Sequence, residues 1–161
     1  MKYLLTDRAK KHVKDHFAPM EKSGSIFNPV YFPSIESLLN ILLDMEPINE
    51  IIQSECMATH IYKIAAFEYV GWDGIGKFSD YPSVKVKVEN RNGFMTRFIE
   101  TSEFPQTKLV NIVFKYCLDG MELITAFPGT YAPAFPHNSM SKEDFQIASE
   151  FWNEHGLLRK Y

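Results

Sequence analysis

The apolar residues near the start of the chain recur at helical spacing. Ala9, Val13 and Phe17 stand four residues apart, so they share one face of a helix. Thr6 and Asp7 precede this pattern, and either side chain can cap the backbone N–H groups of a first turn. The pattern therefore predicts a first helix that ends near Phe17.

A stronger amphipathic pattern follows Ser34 and predicts a second helix. Ser37 stands where an acid would complete a capping box, so this cap is expected to be incomplete. Pro47 interrupts the pattern, and the helix is expected to resume from residue 48 to about residue 56. The apolar face of the second helix consists of Ile35, Leu38, Leu39, Leu42 and Leu43.

In the middle of the chain the periodicity changes to that of β-strands. The predicted strands cover residues 60–70, 84–89, 94–100, 109–117 and 121–127. Two turn signals predict hairpins between neighbouring strands. They are the Asn-Arg-Asn-Gly run at residues 90–93 and the pair Asp119-Gly120. The 109–117 run is almost continuously apolar, as expected of a central strand covered on both faces.

These elements predict a single α+β domain, with N-terminal helices packed on an antiparallel β-meander of about four strands. Ser141 begins a C-terminal helix that is expected to extend to about Glu154, and Gly156 is expected to end it. The expected organisation is a mainly helical part over residues 1–56, the sheet over 57–128, and a loop with the C-terminal helix over 129–161.

Composition favours a folded protein without a membrane segment. The chain is 45% hydrophobic and 14% aromatic, and its longest apolar stretches fall far short of the roughly 20 residues that span a bilayer. Cys56 and Cys117 lie outside any paired-cysteine motif and are predicted to be core thiols in a reducing compartment. No clustered histidine and cysteine pattern occurs, so neither a metal nor a cofactor is expected.

Charge is distributed in blocks, although the net charge is only −3. Residues 1–22 contain six Lys and Arg residues, and residues 63–115 contain eight. Residues 23–62 contain no Lys or Arg but five Asp and Glu residues. A basic N-terminal helix and a basic sheet could share one face that attracts phosphate, with an acidic helical lobe elsewhere. An accidental grouping of solvated surface charges explains the blocks equally well.

Two histidines on the first predicted helix are candidates for proton transfer. His12 and His16 stand four residues apart, so they share a helix face, and imidazole titrates near neutral pH. A metal would need a third ligand that the spacing does not offer, and two ordinary surface histidines are an equally good interpretation. The neighbouring Lys10, Lys11 and Lys14 favour phosphate chemistry.

Two later segments invite comparison with phosphate-binding sites, and only the second is kept as a candidate. The glycine-rich run at residues 71–77 lacks the GxxxxGK[ST] pattern of a phosphate loop and is predicted to be a turn between strands. Thr125 falls near the end of the last predicted strand, and Thr130 and Tyr131 follow in the loop that leaves the sheet. Hydroxyls at a strand end can hold a phosphate or a ribose 2′-hydroxyl.

The run Ile-Thr-Ala-Phe-Pro at residues 124–128, together with a histidine on an N-terminal helix, resembles the barnase–EndoU–colicin–RelE group of ribonucleases. The chain is especially similar to toxin domains at the C-termini of contact-dependent growth inhibition proteins and other polymorphic toxins. In those domains the final strand often ends in a Thr-(Ala/Ser)-(Tyr/Phe)-Pro run. The order of elements agrees over most of residues 6–128.

The resemblance implies a metal-independent endoribonuclease that forms a 2′,3′-cyclic phosphate. His12, or alternatively His16, would act as general acid or base, Thr125 would position the scissile phosphate, and Tyr131 would assist. The implied substrate-binding residues are Lys11 and Thr130, with Lys108 or Arg97 stabilising the phosphorane charge.

The resemblance also implies tRNA as the substrate, a cognate immunity protein as the partner, and a monomer apart from that inhibitor. The implied site of action is the cytoplasm, with delivery from a secreted toxin as one route. The alternative comes from another class, a non-enzymatic acidic binding protein (an immunity protein or a phage-type inhibitor) whose lobe over residues 23–62 covers a basic partner. A toxin should gather its histidine, threonine and cations in one basic cleft, whereas an inhibitor should expose an acidic patch.

Overall fold

The computed structural model describes residues 2–17, 25–82, 86–91 and 94–160. Within these ranges the chain has a mixed α+β fold, with three α-helices and twelve strands in three sheets. None of the described helices is long and apolar enough to cross a membrane. The hairpin turn predicted at residues 92–93 lies outside the described residues, as does the start of the strand predicted at 84–89.

The helices are α1 (Asp7–Val13), α2 (Ile35–Leu42) and α3 (Lys142–Glu154), with 3-10 turns over Lys14–His16 and Phe78–Asp80. The strands before residue 100 are β1 (Tyr3–Leu4), β2 (Ile26–Phe27), β3 (Asn49–Ile52), β4 (Met57–Lys63), β5 (Gly71–Trp72), β6 (Ile75–Lys77), β7 (Val86–Arg91) and β8 (Phe94–Glu100). The later strands are β9 (Gln106–Thr107), β10 (Leu109–Cys117), β11 (Gly120–Pro128) and β12 (His155–Arg159).

The strands form three sheets of different size. The large sheet has the order β1-β11-β10-β4-β3, the second sheet β6-β12-β8-β7, and the small sheet β2-β5-β9. Most pairs are antiparallel, but β1 runs parallel to β11, and β12 runs parallel to β8. Both parallel pairs join strands that are far apart in the sequence.

Several predicted elements are confirmed together with their caps. The Thr6 hydroxyl accepts a hydrogen bond from the Ala9 backbone N–H at 3.2 Å, and α1 follows it directly. The Ser141 hydroxyl accepts one from the Asp144 N–H at 3.1 Å at the start of α3. The hairpin of β10 and β11 also forms, and Gly120 takes the positive φ of +140° that its turn requires.

The cap of α2 is more complete than its sequence suggests. The Ser34 hydroxyl accepts from the Ser37 N–H at 3.2 Å, while the Ser37 hydroxyl accepts from the Ser34 N–H at 3.3 Å. The expectation of an incomplete capping box was therefore wrong, because a serine hydroxyl takes the part that an acid usually plays.

The helix predicted over residues 48–56 is also wrong. The Ile48 N–H donates to the Ile61 carbonyl at 2.7 Å, and β3 continues this pairing antiparallel to β4. Ile51 and Ile52 are β-branched and favour a strand, so pairing with β4 prevails over the apparent helical pattern. The chain then turns back over residues 53–56.

The four-strand meander describes only part of the sheet structure. The β7–β8 hairpin forms as predicted, but it belongs to the second sheet and does not adjoin β10. One of the strands absent from the prediction is β12, which follows α3 directly and inserts between β6 and β8. Gly156, expected to end the helix, lies inside β12, where a Cβ would come within 2.9 Å of the Arg97 carbonyl oxygen.

The main core lies between the large sheet and the two N-terminal helices. Val13 of α1 and Leu38 of α2 pack in the same buried cluster as Ile112 and Phe114 of β10. The strand alternation therefore turns the neighbouring residues of β10 towards the opposite face of the sheet. Cys56 and Cys117, predicted to be core thiols, are both exposed near strand ends.

Candidate functional site

The face of the large sheet that points away from the helices is polar. Val113 of β10 lies opposite Thr59 of β4 on one side and Thr125 of β11 on the other. Opposed residues of neighbouring strands share a face, so the two threonines flank Val113. Thr59 is fully buried, whereas Thr125 is half-buried. We call this surface, with Thr59, Val113 and Thr125 at its centre, the polar face.

Tyr131 reaches this polar face from the loop after β11. Its hydroxyl accepts a hydrogen bond of 3.0 Å from the Gln53 side-chain amide. The same Gln53 amide nitrogen donates to the Thr59 hydroxyl at 2.6 Å. Gln53 therefore joins Tyr131 to Thr59, and the structure brings two of the predicted site residues, Thr125 and Tyr131, to one surface.

The loop that carries Tyr131 is held at three successive points. The Gly129 N–H donates to the Leu109 carbonyl at 2.9 Å, and the Asn111 amide donates to the Gly129 carbonyl at 2.8 Å. The Thr130 backbone N–H and hydroxyl both donate to Asp73 Oδ2, at 3.0 and 2.5 Å. Thr130 was predicted to bind substrate; in this structure its hydroxyl donates to Asp73, and this contact helps to hold the loop.

His16 lies at the edge of β11, in the 3-10 turn that extends α1. Its ring centre is 6.1 Å from that of Phe127, which is two residues beyond Thr125 on the same strand and therefore on the same face. His16 Nδ1 lies 2.7 Å from the Ser25 carbonyl oxygen and 3.4 Å from the Ser25 hydroxyl. The imidazole is thus anchored beside the strand that carries Thr125.

The anchoring contact defines the chemistry of His16. A carbonyl oxygen only accepts, so Nδ1 carries a proton in that contact, and in the neutral ring Nε2 is the basic nitrogen. Burial lowers the pKa of His16 below its ordinary 6.5, and this effect outweighs the hydrogen bond to Ser25, which raises it. His16 is therefore a neutral base near pH 7.

The remaining predicted residues do not gather around His16. His12 and Lys11 are exposed on α1. Arg97 lies in the second sheet, where its guanidinium donates to the Trp152 carbonyl and stacks 4.3 Å over the Phe78 ring. The structure therefore places Arg97 in a packing role apart from the polar face.

Of the cations predicted to bind substrate, Lys108 lies next to a residue that contacts the loop carrying Tyr131. It directly precedes Leu109, whose carbonyl accepts the hydrogen bond from Gly129. Lys63 lies opposite Leu109 on β4 and adds a second, exposed ammonium group at this end of the sheet. Two lysines, Lys63 and Lys108, therefore lie at this end of the sheet, together with the Asp73 carboxylate that holds the loop.

Sequence reasoning missed the residues that organise the site. Ser25, Gln53 and Asp73 are polar residues in segments interpreted as loop, helix and turn, and nothing in their local pattern separates them from other polar residues. Asn111 offered a usable signal, because it interrupts the apolar run of β10. Asn111 is fully buried, and a buried amide side chain needs hydrogen-bond partners.

A second polar constellation lies on the helix-facing side of the large sheet. His60 is buried, its Nε2 lies 2.5 Å from Glu50 Oε2, and its Nδ1 lies 2.6 Å from the Tyr3 hydroxyl. The Tyr62 hydroxyl is 2.7 Å from that of Tyr3, and Tyr116 donates to Glu50 at 3.2 Å. The sequence had suggested only that His60 begins a strand. Both His60 nitrogens are occupied, so this chain of contacts stabilises the sheet.

Replacing Glu50 with Gln is expected to remove a pH-dependent part of the free energy of unfolding. Hydrogen bonds from His60 first, and then from Tyr116, hold the pKa of Glu50 below its ordinary 4.5. A depressed folded pKa contributes stability that is present above the unfolded pKa and is lost as pH falls through the folded pKa. Urea unfolding should therefore show a wild-type advantage near pH 7 that shrinks towards pH 3.

The matched control for this measurement is Glu55→Gln, which removes an exposed carboxylate from the neighbouring turn. A wild-type advantage over Glu50→Gln that grew in acid would contradict the assigned role of Glu50.

Within the residues that the structure describes, no three His, Cys, Asp or Glu side chains are grouped so that they could hold a metal ion. The polar face instead offers hydroxyl and amide groups, with an imidazole at its edge. The sequence matches no protein-family model, and comparison with curated proteins finds no significant match.

Proposed function

We propose that this protein is a metal-independent endoribonuclease that cleaves RNA through attack of a ribose 2′-hydroxyl on the adjacent phosphate. The observation that carries the proposal is His16, a partly buried imidazole whose Nδ1 is anchored to the Ser25 carbonyl at 2.7 Å beside the end of β11. A general base must be oriented and unprotonated at the working pH, and His16 meets both conditions.

In the proposed reaction His16 Nε2 removes the proton from the 2′-hydroxyl. The 2′-oxygen forms a bond to phosphorus, and the bond from phosphorus to the 5′-oxygen breaks. The products are a 2′,3′-cyclic phosphate and a 5′-hydroxyl, whose proton comes from a general acid. Tyr131 is the candidate acid, because its hydroxyl lies over the polar face and accepts, rather than donates, its hydrogen bond with Gln53.

Thr125 and Lys108 complete the proposal. The half-buried Thr125 is the polar-face residue placed to donate a hydrogen bond to the scissile phosphate. Lys108 supplies positive charge at the same end of the sheet, which would stabilise the phosphorane. Lys11, exposed on α1, is a candidate for contacts with more distant phosphates. By the resemblance described above, the proposed substrate is tRNA, and the proposed partner is a cognate immunity protein.

A second candidate function rests on a different surface. Ile48 directly precedes β3 and Ile52 ends it, and they are 61% and 68% exposed. The exposed residues Glu46, Glu50 and Glu55 lie near them in the sequence. Exposed apolar groups that are rimmed by polar residues are typical of a protein interaction site. This patch supports a non-enzymatic protein that covers a basic partner.

Incubation of the purified protein with total RNA tests the two candidates. We expect discrete fragments ending in 2′,3′-cyclic phosphate, formed at the same rate with and without EDTA, because the ribose supplies the nucleophile. Cleavage that EDTA abolished would contradict the metal-independent mechanism. Intact RNA after prolonged incubation with folded protein would contradict the ribonuclease and leave the acidic binding surface as the better account.

A further inference from the structure

A large cavity lies beside the His16 anchor, between the small sheet and the segment that follows β8. Its volume is about 710 Å³, within the range of small-molecule sites. Phe17, Trp72 and Phe104 contribute aromatic walls, and Gln106, Glu103 and Lys160 contribute polar groups. All three polar residues are exposed, so their side chains are accessible from solvent.

The cavity is lined by the residues next to His16 and Ser25 in the sequence. Phe17 directly follows His16, and Ile26 directly follows Ser25, and both Phe17 and Ile26 line the cavity. On the other side, a Cβ on Gly71 would lie 3.0 Å from Pro128 Cγ, so the strand that carries Trp72 packs against the end of β11. A ligand in this cavity would therefore sit next to the proposed base.

The chemistry of the walls selects the class of ligand. Flat aromatic faces bind a planar ring such as a nucleobase by stacking. An amide and a carboxylate can pair with the donors and acceptors on the edge of such a ring. An ammonium group binds the phosphate attached to it. A planar heterocycle joined to an anion uses all of these groups.

We propose that this cavity binds one nucleobase of the RNA beside the cleaved phosphate. Trp72 stacks on the base, Gln106 and Glu103 pair with its edge, and Lys160 contacts the phosphate backbone. The assignment rests on the proposed ribonuclease function and gives it a base preference at one position.

Fluorescence titration with nucleoside 5′-monophosphates tests this assignment. The chain has two tryptophans, Trp72 and Trp152. All titrations therefore use a Trp152→Phe variant, whose tryptophan emission comes from Trp72 alone. We expect saturable quenching by at least one nucleotide, and no quenching by ribose 5-phosphate, which lacks the base. Gln106→Ala should weaken this binding about 5–10-fold, as loss of one hydrogen bond does, and Gln106 is exposed, so the variant should fold.

Phenyl phosphate serves as the matched probe, because it carries a flat ring and an anion but no hydrogen-bonding edge. Equal quenching by phenyl phosphate and the nucleotides would overturn base recognition, as would the absence of saturable quenching. The RNA assay separates this result from the proposed function. Cleavage without nucleotide binding overturns the cavity assignment alone, whereas nucleotide binding without cleavage supports the cavity and overturns the ribonuclease.

Discussion

Replacing His16 with Ala is expected to slow RNA cleavage by about 10²–10⁴-fold, which is the contribution of a positioned general base. The imidazole that is anchored to Ser25, and whose ring lies beside that of Phe127 on β11, would be lost. The rate of the wild type should rise with pH through the pKa of His16. Because burial lowers that pKa, the midpoint of the rise should lie below pH 6.5.

His12→Ala is the matched control, since His12 is exposed one helical turn earlier. It should cleave RNA at nearly the wild-type rate, and both variants should remain folded under the conditions of the assay. Thr125→Val, which keeps the side-chain shape and removes the hydroxyl, should reduce the rate further than His12→Ala. Full activity of His16→Ala beside an inactive His12→Ala would transfer the role of base to His12.

Gly129→Ala is expected to lower the free energy of unfolding by about 2–5 kcal/mol, the sum of backbone strain and overpacking. Gly129 has a φ of +101°, which a residue with a Cβ adopts at a cost. Its Cβ would also lie 2.5 Å from Asp73 Oδ1 and 3.0 Å from Asp73 Cα. Asp73 would have to move, and both hydrogen bonds that it accepts from Thr130 would break.

Gly120→Ala separates the cost of backbone strain from the cost of overpacking. Gly120 also has a positive φ, of +140°, but its nearest neighbour to an added Cβ is the Lys2 carbonyl oxygen at 3.4 Å. The cost there is mainly conformational, about 1–2 kcal/mol. Chemical denaturation of both variants should therefore show the larger loss for Gly129→Ala, and equal losses would contradict a steric requirement at Asp73.

Elements that depend on local chemistry were predictable from the sequence. The Thr6 and Ser141 hydroxyls cap their helices because the needed N–H groups lie within three residues. The β10–β11 hairpin likewise depends on a turn next to two apolar runs. Residues 48–56 were assigned wrongly because pairing with β4, which their own pattern does not encode, decides their structure.

The division into three sheets depends on distant partners. The short strands β5 and β9 consist of two residues each and pair with each other across more than thirty positions of sequence. No periodicity can be detected in two residues. The short strand β12 was not predicted either. The glycine at position 156 is required by the close approach of its backbone to the Arg97 carbonyl, and it does not mark a helix end.

The candidate site was predictable only where a motif marked it. Thr125 and Tyr131 fall in the run after the last predicted strand, and the structure brings both to the polar face. Gln53 and Ser25 hold Tyr131 and His16, respectively, through contacts that bridge 78 and 9 positions of sequence. Such partners become visible only when the fold brings remote segments together.

The two parallel strand pairs have a consequence for biosynthesis. β1 leaves the ribosome before its partner β11, which emerges more than one hundred residues later. The second sheet likewise lacks its internal strand until β12 emerges. The large sheet cannot close before β11 is synthesised, and the second sheet cannot close before β12 is synthesised. A nascent chain that ends before β11 therefore carries no assembled polar face.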